Sequence, residues 1–347
     1  MPAKPTRRTS RVARSTSAHG LSIVIPLFNE AAGLAGLHER IAQVGRALRA
    51  KYDLPVEVVY VDDGSKDDTN AIANSLPADP LDIQVVTLSR NFGKEAALLA
   101  GLDHARLGAV LFMDGDGQHP PSLVDTLVSR WLEDGYDVVY TAKANRQNEP
   151  WLRRVGVHAF YSLINWGARQ SIPEDAGDFR LLSPRAAAAL RQLPERSRFF
   201  KGLASWIGFR QVRVDYDPAP RAHGRTTWNV WTLVGLSIEG LTSFSVAPLR
   251  FASLLGLLLA VTAILFGGWI AIETILYGKD VPGYPSLAVG LMVIGGVQLM
   301  MIGVLGEYVG KLLNESKARP VYFVAEHHVK SADASATAAP AAQRAAE

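Results

Sequence analysis

From residue 21 onward, short apolar runs alternate with longer amphipathic stretches. Residues 21–27, 56–61, 83–88, 109–113 and 137–140 are mostly apolar and of strand length. Runs of this kind fit strands buried on both faces. Residues 30–50, 68–76, 94–105 and 121–133 between them carry helical patterning. Strand and helix alternating at this spacing predict βαβ units, hence an α/β domain built on a mostly parallel sheet. Such sheets bind ligands beyond the carboxyl ends of their strands.

Polar clusters stand at those ends: Asn29-Glu30, Asp62-Asp63-Gly64-Ser65, Ser89-Arg90-Asn91 and Asp114-Gly115-Asp116. The last follows an apolar run directly, and two carboxylates there need water, donors or a cation. An oxygen-rich site of this type suits Mg²⁺ or Mn²⁺, ions that commonly arrive with a phosphate-bearing substrate. Taken alone, the tripeptide also reads as a solvated Asx-type turn. Asp62 and Asp63 suit a uracil N–H or a sugar hydroxyl; they also read as a helix start, for which Asp67 and Asp68 suffice. Pro26 stiffens the loop before Asn29 and Glu30, although Glu30 reads equally as a first-turn acid. Lys94, after Gly93 at a helix start, opposes the helix dipole, which points to a use in holding a phosphate or a neighbouring acid. No GxGxxG follows the first run and no GxxxxGK[ST] occurs, so dinucleotide binding and P-loop hydrolysis lose their main supports.

The second half changes character. The chain is 48% hydrophobic, and the excess is concentrated. Residues 251–272 and 286–306 carry no charge, and each exceeds the roughly 18 residues that mark a membrane-spanning helix. A pair of buried core helices is the alternative, but core helices rarely run so long without a charge. Arg250 precedes the first span, and Lys311, Lys317 and Arg319 follow the second; Glu273, Lys279 and Asp280 lie in the connector. This Lys/Arg bias predicts a multi-pass protein of the plasma membrane with the large domain, residues 21–225, and both termini in the cytoplasm. Spans are expected at 250–276 and 285–310. Residues 226–249 hold Glu239, Trp228 and Trp231 and suit interfacial helices. Small residues in the spans (Gly267-Gly268, Gly295-Gly296, Gly303, Gly306) allow close helix packing, so a homo-oligomer is expected.

Residues 1–20 hold Lys4, Arg7, Arg8, Arg11 and Arg14, no acid and no apolar h-region. They read as a disordered basic tail drawn to anionic lipid, not as a signal peptide. The net charge of +3 argues against a nucleic-acid partner. The chain has no cysteine, which excludes a disulfide framework and a thiolate metal site. Residues 311–347 are expected to be a cytoplasmic tail, low-complexity and disordered after Lys330. His327-His328 beside that tail would bind a metal only adventitiously.

SIVIPLFNE, VVYVDDGSKDDT, LSRNFGKEAALLAGLDHA, MDGDGQHPP, DAGDFRLLSPRAAAAL, RFFKGLASWIGF and GEYVGKLLNESKARPVYFV together resemble family 2 glycosyltransferases. The resemblance covers about residues 21–325 and is to the branch that moves a sugar onto a polyisoprenyl phosphate. It implies a GT-A (Rossmann-like) domain on a C-terminal two-helix transmembrane anchor, a nucleotide-sugar donor (UDP- or GDP-linked), a divalent metal, inversion at the anomeric carbon and a polyprenyl phosphate acceptor. Two departures stand out. His119 replaces the third acid of the usual metal motif, and Thr226-Thr227-Trp228 stands where Ser-Lys-Tyr is common.

On that resemblance, Asp114 and Asp116 hold the metal. Pro26, Asn29, Glu30, Asp62, Asp63, Lys94 and Asp114 meet the donor, and Asp178 joins Asp116 as a catalytic residue. A phosphate monoester is largely a dianion at neutral pH, so Asp178 has little to deprotonate and suits an orienting role; a salt bridge to Arg180 or Arg185 is the plainer alternative. Arg198, Lys201, Arg221 and Arg225 lie where a lipid phosphate must sit, although each also reads as membrane anchoring. His119 and His223 suit hydrogen bonding better than metal ligation. A processive polysaccharide synthase would need more spans and a QxxRW motif. A non-catalytic scaffold or flippase component is the other alternative, but two spans are few for a carrier and neither holds a mid-membrane charge to mark a transport path.

Overall fold

The computed structural model describes residues 17–143, 162, 177–195, 200–217, 247–277 and 283–332. Four parallel strands form the centre: β1 (Ser17–Leu27), β2 (Val56–Asp62), β3 (Asp82–Leu88) and β4 (Leu107–Phe112). The helices α1 (Ala31–Tyr52), α2 (Thr69–Ser75) and α3 (Lys94–His104) connect them in turn. Beyond β4 come α4 (Leu123–Leu132), β5 (Val138–Lys143), β6 (Arg180–Leu182), α5 (Pro184–Gln192), α6 (Phe200–Trp206) and β7 (Gln211–Tyr216). The chain then forms α7 (Ala247–Tyr277), α8 (Tyr284–Ser316) and β8 (Val324–Lys330). The eight strands make one sheet in the order β7-β5-β6-β4-β1-β2-β3-β8.

Both faces of the sheet are covered, which explains why its strands are apolar runs rather than alternating ones. Ile23, Ile25 and Leu27 of β1 face one layer, where Leu34, Leu37 and Ile41 of α1 and Leu127 of α4 pack. Val24 points the other way, with Val59, Val61 and Val86, against Ala97 and Leu98 of α3 and Leu190 of α5. At the amino-terminal edge the buried Glu57 carboxylate accepts from Ser22 Oγ (2.6 Å), Gln84 Nε2 (3.0 Å) and Arg106 Nε (2.9 Å). Pairing of this completeness is what makes a buried carboxylate tolerable.

The five predicted strands and four predicted helices are present. β6, β7 and β8 were not anticipated. β6 is three residues long and runs antiparallel between β4 and β5. Its register pairs Phe112 with Arg180, so two further residues set Asp178 opposite Asp114. β8 gives His327-His328, beside the low-complexity tail, a place in the sheet. It pairs antiparallel with β3, His327 Nε2 meets Gln84 Oε1 at 2.9 Å, and Lys330 Nζ donates to the carbonyls of Asn74 and Leu76.

α7 and α8 contain apolar stretches long enough to cross a membrane, Pro248–Leu276 and Gly290–Ser316, with none of either stretch's most apolar window buried. A pair of buried core helices is therefore not what forms. Large apolar side chains such as Leu257, Phe266, Trp269, Met292 and Leu299 are exposed, and the pair marks the protein as membrane-associated. Residues 218–246, which include the expected interfacial helices, lie outside the described residues, as do 1–16 of the predicted tail 1–20 and 333–347 of the predicted tail 311–347. The rest of the first tail is corrected to the start of β1, and the second begins with the last turns of α8 and includes β8.

Candidate active site

The carboxyl ends of β1, β2, β3 and β4 share one edge because the four strands are parallel. Their loops are tied together by side chains. After β1, Asn29 adopts φ +57°, a conformation Asn tolerates better than most residues. Its backbone N–H donates to Ser65 Oγ (3.0 Å) and its Oδ1 accepts from Lys66 N (2.8 Å). Glu30 N donates to Thr69 Oγ1 (2.9 Å) and Ala31 N to Asp67 Oδ2 (3.3 Å). Asp67 thus braces two loops, whereas Asp68, the residue before α2, makes no side-chain capping bond; the expectation that both cap is corrected to Asp67 alone. Asp62 accepts from Ser65 N (3.0 Å) and Asn70 Nδ2 (3.1 Å). Asp63 accepts from Phe92 N (2.7 Å) and Gly93 N (2.9 Å), which joins the β2 loop to the β3 loop. Burial raises the Asp63 carboxyl above its ordinary pKa, against those two N–H bonds, and Asp62 adds to the rise. Gly64, at φ +70°, must be glycine, because a Cβ there would stand 2.7 Å from the Arg90 carbonyl carbon and Asn91 N.

These loops wall a cavity of about 420 Å³ lined by Pro26, Glu30, Asp63, Lys94, Asp114 and Asp116, with Phe28, Asn91 and Gln118 at its sides. Asn29 and Asp62 do not line it; their polar atoms are engaged in the loop frame behind. Asp178 reaches the cluster through lysine. Lys94 Nζ lies 2.6 Å from Asp114 Oδ1 and 2.6 Å from Asp178 Oδ2, and Lys201 Nζ lies 3.4 Å from Asp178 Oδ1. Of the two arginines in the alternative reading, Arg185 pairs with Asp137, whereas Arg180, whose Nη2 donates to the Gly177 carbonyl, adds its charge to those that lower the Asp178 carboxyl.

Electrostatics follow from that geometry. Burial alone would raise the Asp178 carboxyl, but Lys201 and Lys94 outweigh it and hold the group well below the usual carboxylate range. Burial would lower Lys94, yet Asp178 and Asp114 raise it above the ordinary lysine value. Formally, the cluster of Asp114, Asp116 and Asp178 with Lys94 and Lys201 carries one net negative charge, apart from Glu30 and Asp63 elsewhere on the cavity wall. Asp116 Oδ1 accepts from Gln118 N (3.0 Å). His119 Nδ1 accepts from Asp114 N (3.1 Å), so the neutral ring carries its proton on Nε2. Burial lowers the His119 pKa, and the ring stacks on Phe179 at 4.8 Å.

Three residues near the acids were not singled out by the sequence. Phe28 presents a half-exposed ring at the cavity mouth. Burial, together with Asp114, Asp116 and Asp178, pushes Tyr216 up to about 12. Glu95 is pushed up to about 7, first by burial and then by Asp178. Phe28 and Glu95 sit inside the motifs quoted above, whereas Tyr216 had no local signal. Arg198, Arg221, Arg225 and His223 lie outside the described residues. Among the described residues no three histidines or acids converge as a metal cluster. The Asp114 and Asp116 pair still fits Mg²⁺ or Mn²⁺, because such ions bind through one or two carboxylates and complete their shell with water and substrate phosphate.

Residues 22–190 match glycosyl transferase family 2. A glycosyltransferase of Synechocystis sp. is 43% identical over 88% of this chain and 95% of its own length. A bactoprenol glucosyl transferase of Shigella phage SfV is 41% identical over 88% and 97%. A prophage bactoprenol glucosyl transferase homolog of Escherichia coli K12 is 40% identical over 88% and 98%. An acid–lysine cluster at the edge of a parallel sheet, with relatives of this kind aligned almost end to end, leads to one conclusion: the chain belongs to glycosyl transferase family 2 and is a glycosyltransferase.

Proposed function

We propose that the protein transfers a hexose, with inversion, from a UDP- or GDP-linked sugar to a polyprenyl phosphate at the cytoplasmic face of the membrane. The observation that carries this reading is the Lys94 bridge between Asp114 and Asp178, on the wall of a cavity, in a chain with two unburied apolar helices. The names of the relatives favour a glucosyl group and a bactoprenyl carrier, undecaprenyl phosphate.

The donor occupies the cavity. Asp63 and Glu30 line the side suited to base and ribose, and the exposed Phe28 ring offers a face for stacking. Asp114 and Asp116 would hold the metal, which would supply positive charge to the donor diphosphate. Lys94 then adds a fixed positive charge where negative charge develops on the leaving group. The acceptor phosphate is already a dianion near neutrality, with its second pKa about 6, so it attacks without giving up a proton. Asp178, held well below the usual carboxylate range by two lysines, is a poor proton acceptor; its role is to hold Lys94 and Lys201 in position. Lys201, with Arg198, Arg221 and Arg225, receives the lipid phosphate. The basic flanks of α7 and α8 keep both helix ends cytoplasmic, and anchoring supplies proximity between the lipid head and the cavity.

Membranes containing the protein, supplied with labelled nucleotide sugars, provide the test. Label entering an organic-extractable lipid is expected. Label in polymer would favour a processive synthase, and none in either fraction across the common donors would favour a scaffold. Arg198→Ala is expected to raise KM for lipid phosphate more than for donor.

A further inference from the structure

We infer that Glu95 is a positioning residue: through the first N–H of α6 it sets where the Lys201 ammonium stands against Asp178. Lys94 and Glu95 are adjacent in α3 but reach different partners. Lys94 takes Asp114 and Asp178. Glu95 Oε2 accepts from Phe200 N at 3.0 Å, across 105 residues of chain. Phe200 begins α6, and the next residue is Lys201, whose Nζ is 3.4 Å from Asp178.

The first N–H groups of a helix have no partner within it and need an acceptor from elsewhere. α5 finds its acceptor one residue before its start, where Ser183 Oγ accepts from Ala186 N. α6 takes its acceptor from another helix, so the start of α6 is registered to α3. The fit is reinforced on either side: the Phe200 ring meets Phe112 edge-on at 5.3 Å, and the Lys201 carbonyl accepts from Arg180 Nη1 (3.5 Å) and Ser205 Oγ (3.2 Å). The Glu95 side chain is half-buried, and it spends its oxygen on an N–H of a distant segment. A first-turn acid needed only for the α3 dipole would lie in solvent at less cost. One dipeptide at the start of α3 therefore holds the end of β4, the segment before β6 and the start of α6 together.

The test uses the full-length protein in phospholipid nanodiscs, with Glu95→Gln, which keeps an acceptor oxygen, and Glu95→Ala and Glu95→Asp, which withdraw it. Lysines are acylated and the Lys201-to-Lys51 ratio is read by mass spectrometry, Lys51 being remote and paired with Asp125. Glu95→Ala and Glu95→Asp are expected to raise that ratio about fivefold, equivalent to ~1 kcal/mol, while Glu95→Gln stays within about twofold of wild type. Only the second arm rests on the proposed function: KM for undecaprenyl phosphate should rise with the ratio, and donor KM should not. An unchanged ratio in Glu95→Ala, or an equal rise in Glu95→Gln, overturns the inference. A wild type that cannot glycosylate the lipid removes the substrate reading, while the labelling ratio still decides the role of Glu95.

Discussion

The centre of the sheet and the strands added after it behave as two different kinds of structure. In β3-β2-β1-β4, each strand ends in a loop whose polar residues are neighbours in sequence, and the loops lock to one another through Asn29, Asp63 and Asp67. In β6, β5 and β7, by contrast, the partners are far apart along the chain, and β6 contributes only three residues. The parallel part makes the cavity and carries Asp114 and Asp116. The segment leading into the antiparallel strand β6 delivers Asp178, and α6 delivers Lys201. The charged centre therefore lies on the seam between them, and Lys94 is the side chain that closes it.

The sharpest break falls on the parallel side. Asp116→Asn is expected to lower transfer by about 10²–10³-fold, the order of loss when one preorganised charge contact is removed. The protein should stay folded and membrane-bound by circular dichroism and flotation. Wild-type turnover persisting in EDTA would remove the metal from the account.

Breaking the seam itself comes next. Lys94→Ala should lower kcat by about tenfold or more, since it leaves Asp114 and Asp178 facing each other without their shared cation, discounted because Lys94 is partly exposed. The sign of the pH effect follows from the depressed Asp178 pKa. Its stabilisation is present above the unfolded value of about 3.9 and is lost as pH falls through the lower folded value. In Lys94→Ala the Asp178 pKa rises, so acid unfolding should begin at a higher pH than in wild type. Coincident acid transitions would mean that Lys94 does not hold Asp178 charged.

A smaller effect probes the α3–α6 contact. Glu95 has its pKa raised to about 7 by burial and Asp178, against Phe200 N–H, Lys94 and Lys201. For an acid raised in the folded state, the contribution is fully present below the unfolded value of about 4.3 and is lost as pH rises through about 7. Glu95→Gln carries no such loss. Its Tm should exceed that of wild type by about 2–4 °C at pH 8, an effect of ~1 kcal/mol after solvent screening, with the gap closing toward pH 5. A gap that widens toward acid would contradict the assignment.

The smallest effect tests the far edge. Tyr322 Oη donates to Asp103 Oδ2 (2.9 Å), beside β8. Tyr322→Phe should cost about 0.5–1 kcal/mol in chemical denaturation and leave transfer rates alone. A loss of activity would show that the β8 edge and the cavity are coupled.

Legibility in the sequence follows the same division. The central strands and their helices were readable because doubly buried strands are continuous apolar runs and amphipathic helices show their period. The cavity acids were readable because Asp63, Asp114 and Asp116 follow strands directly. β6 was not readable, because a three-residue strand has no period; Gln211–Tyr216 does alternate, with Val212, Val214 and Tyr216 on one face, a signal that a search for continuous apolar runs passes over. β8 contains Glu326, His327 and His328 and pairs at an edge, where polar side chains remain solvated and the apolar signal fails.

The amino-acid order alone determined the α/β alternation, the two unburied apolar helices and the line of acids at one sheet edge, since each arises from local patterning or from residues adjacent in the chain. Only the tertiary structure decided which charges meet. The antiparallel register of β6 brought Asp178 to Asp114, the start of α6 brought Lys201 to Asp178, and Lys94 bridged the acids across the junction. Contacts of this kind join distant segments through pairing and packing, and no short stretch of sequence encodes them.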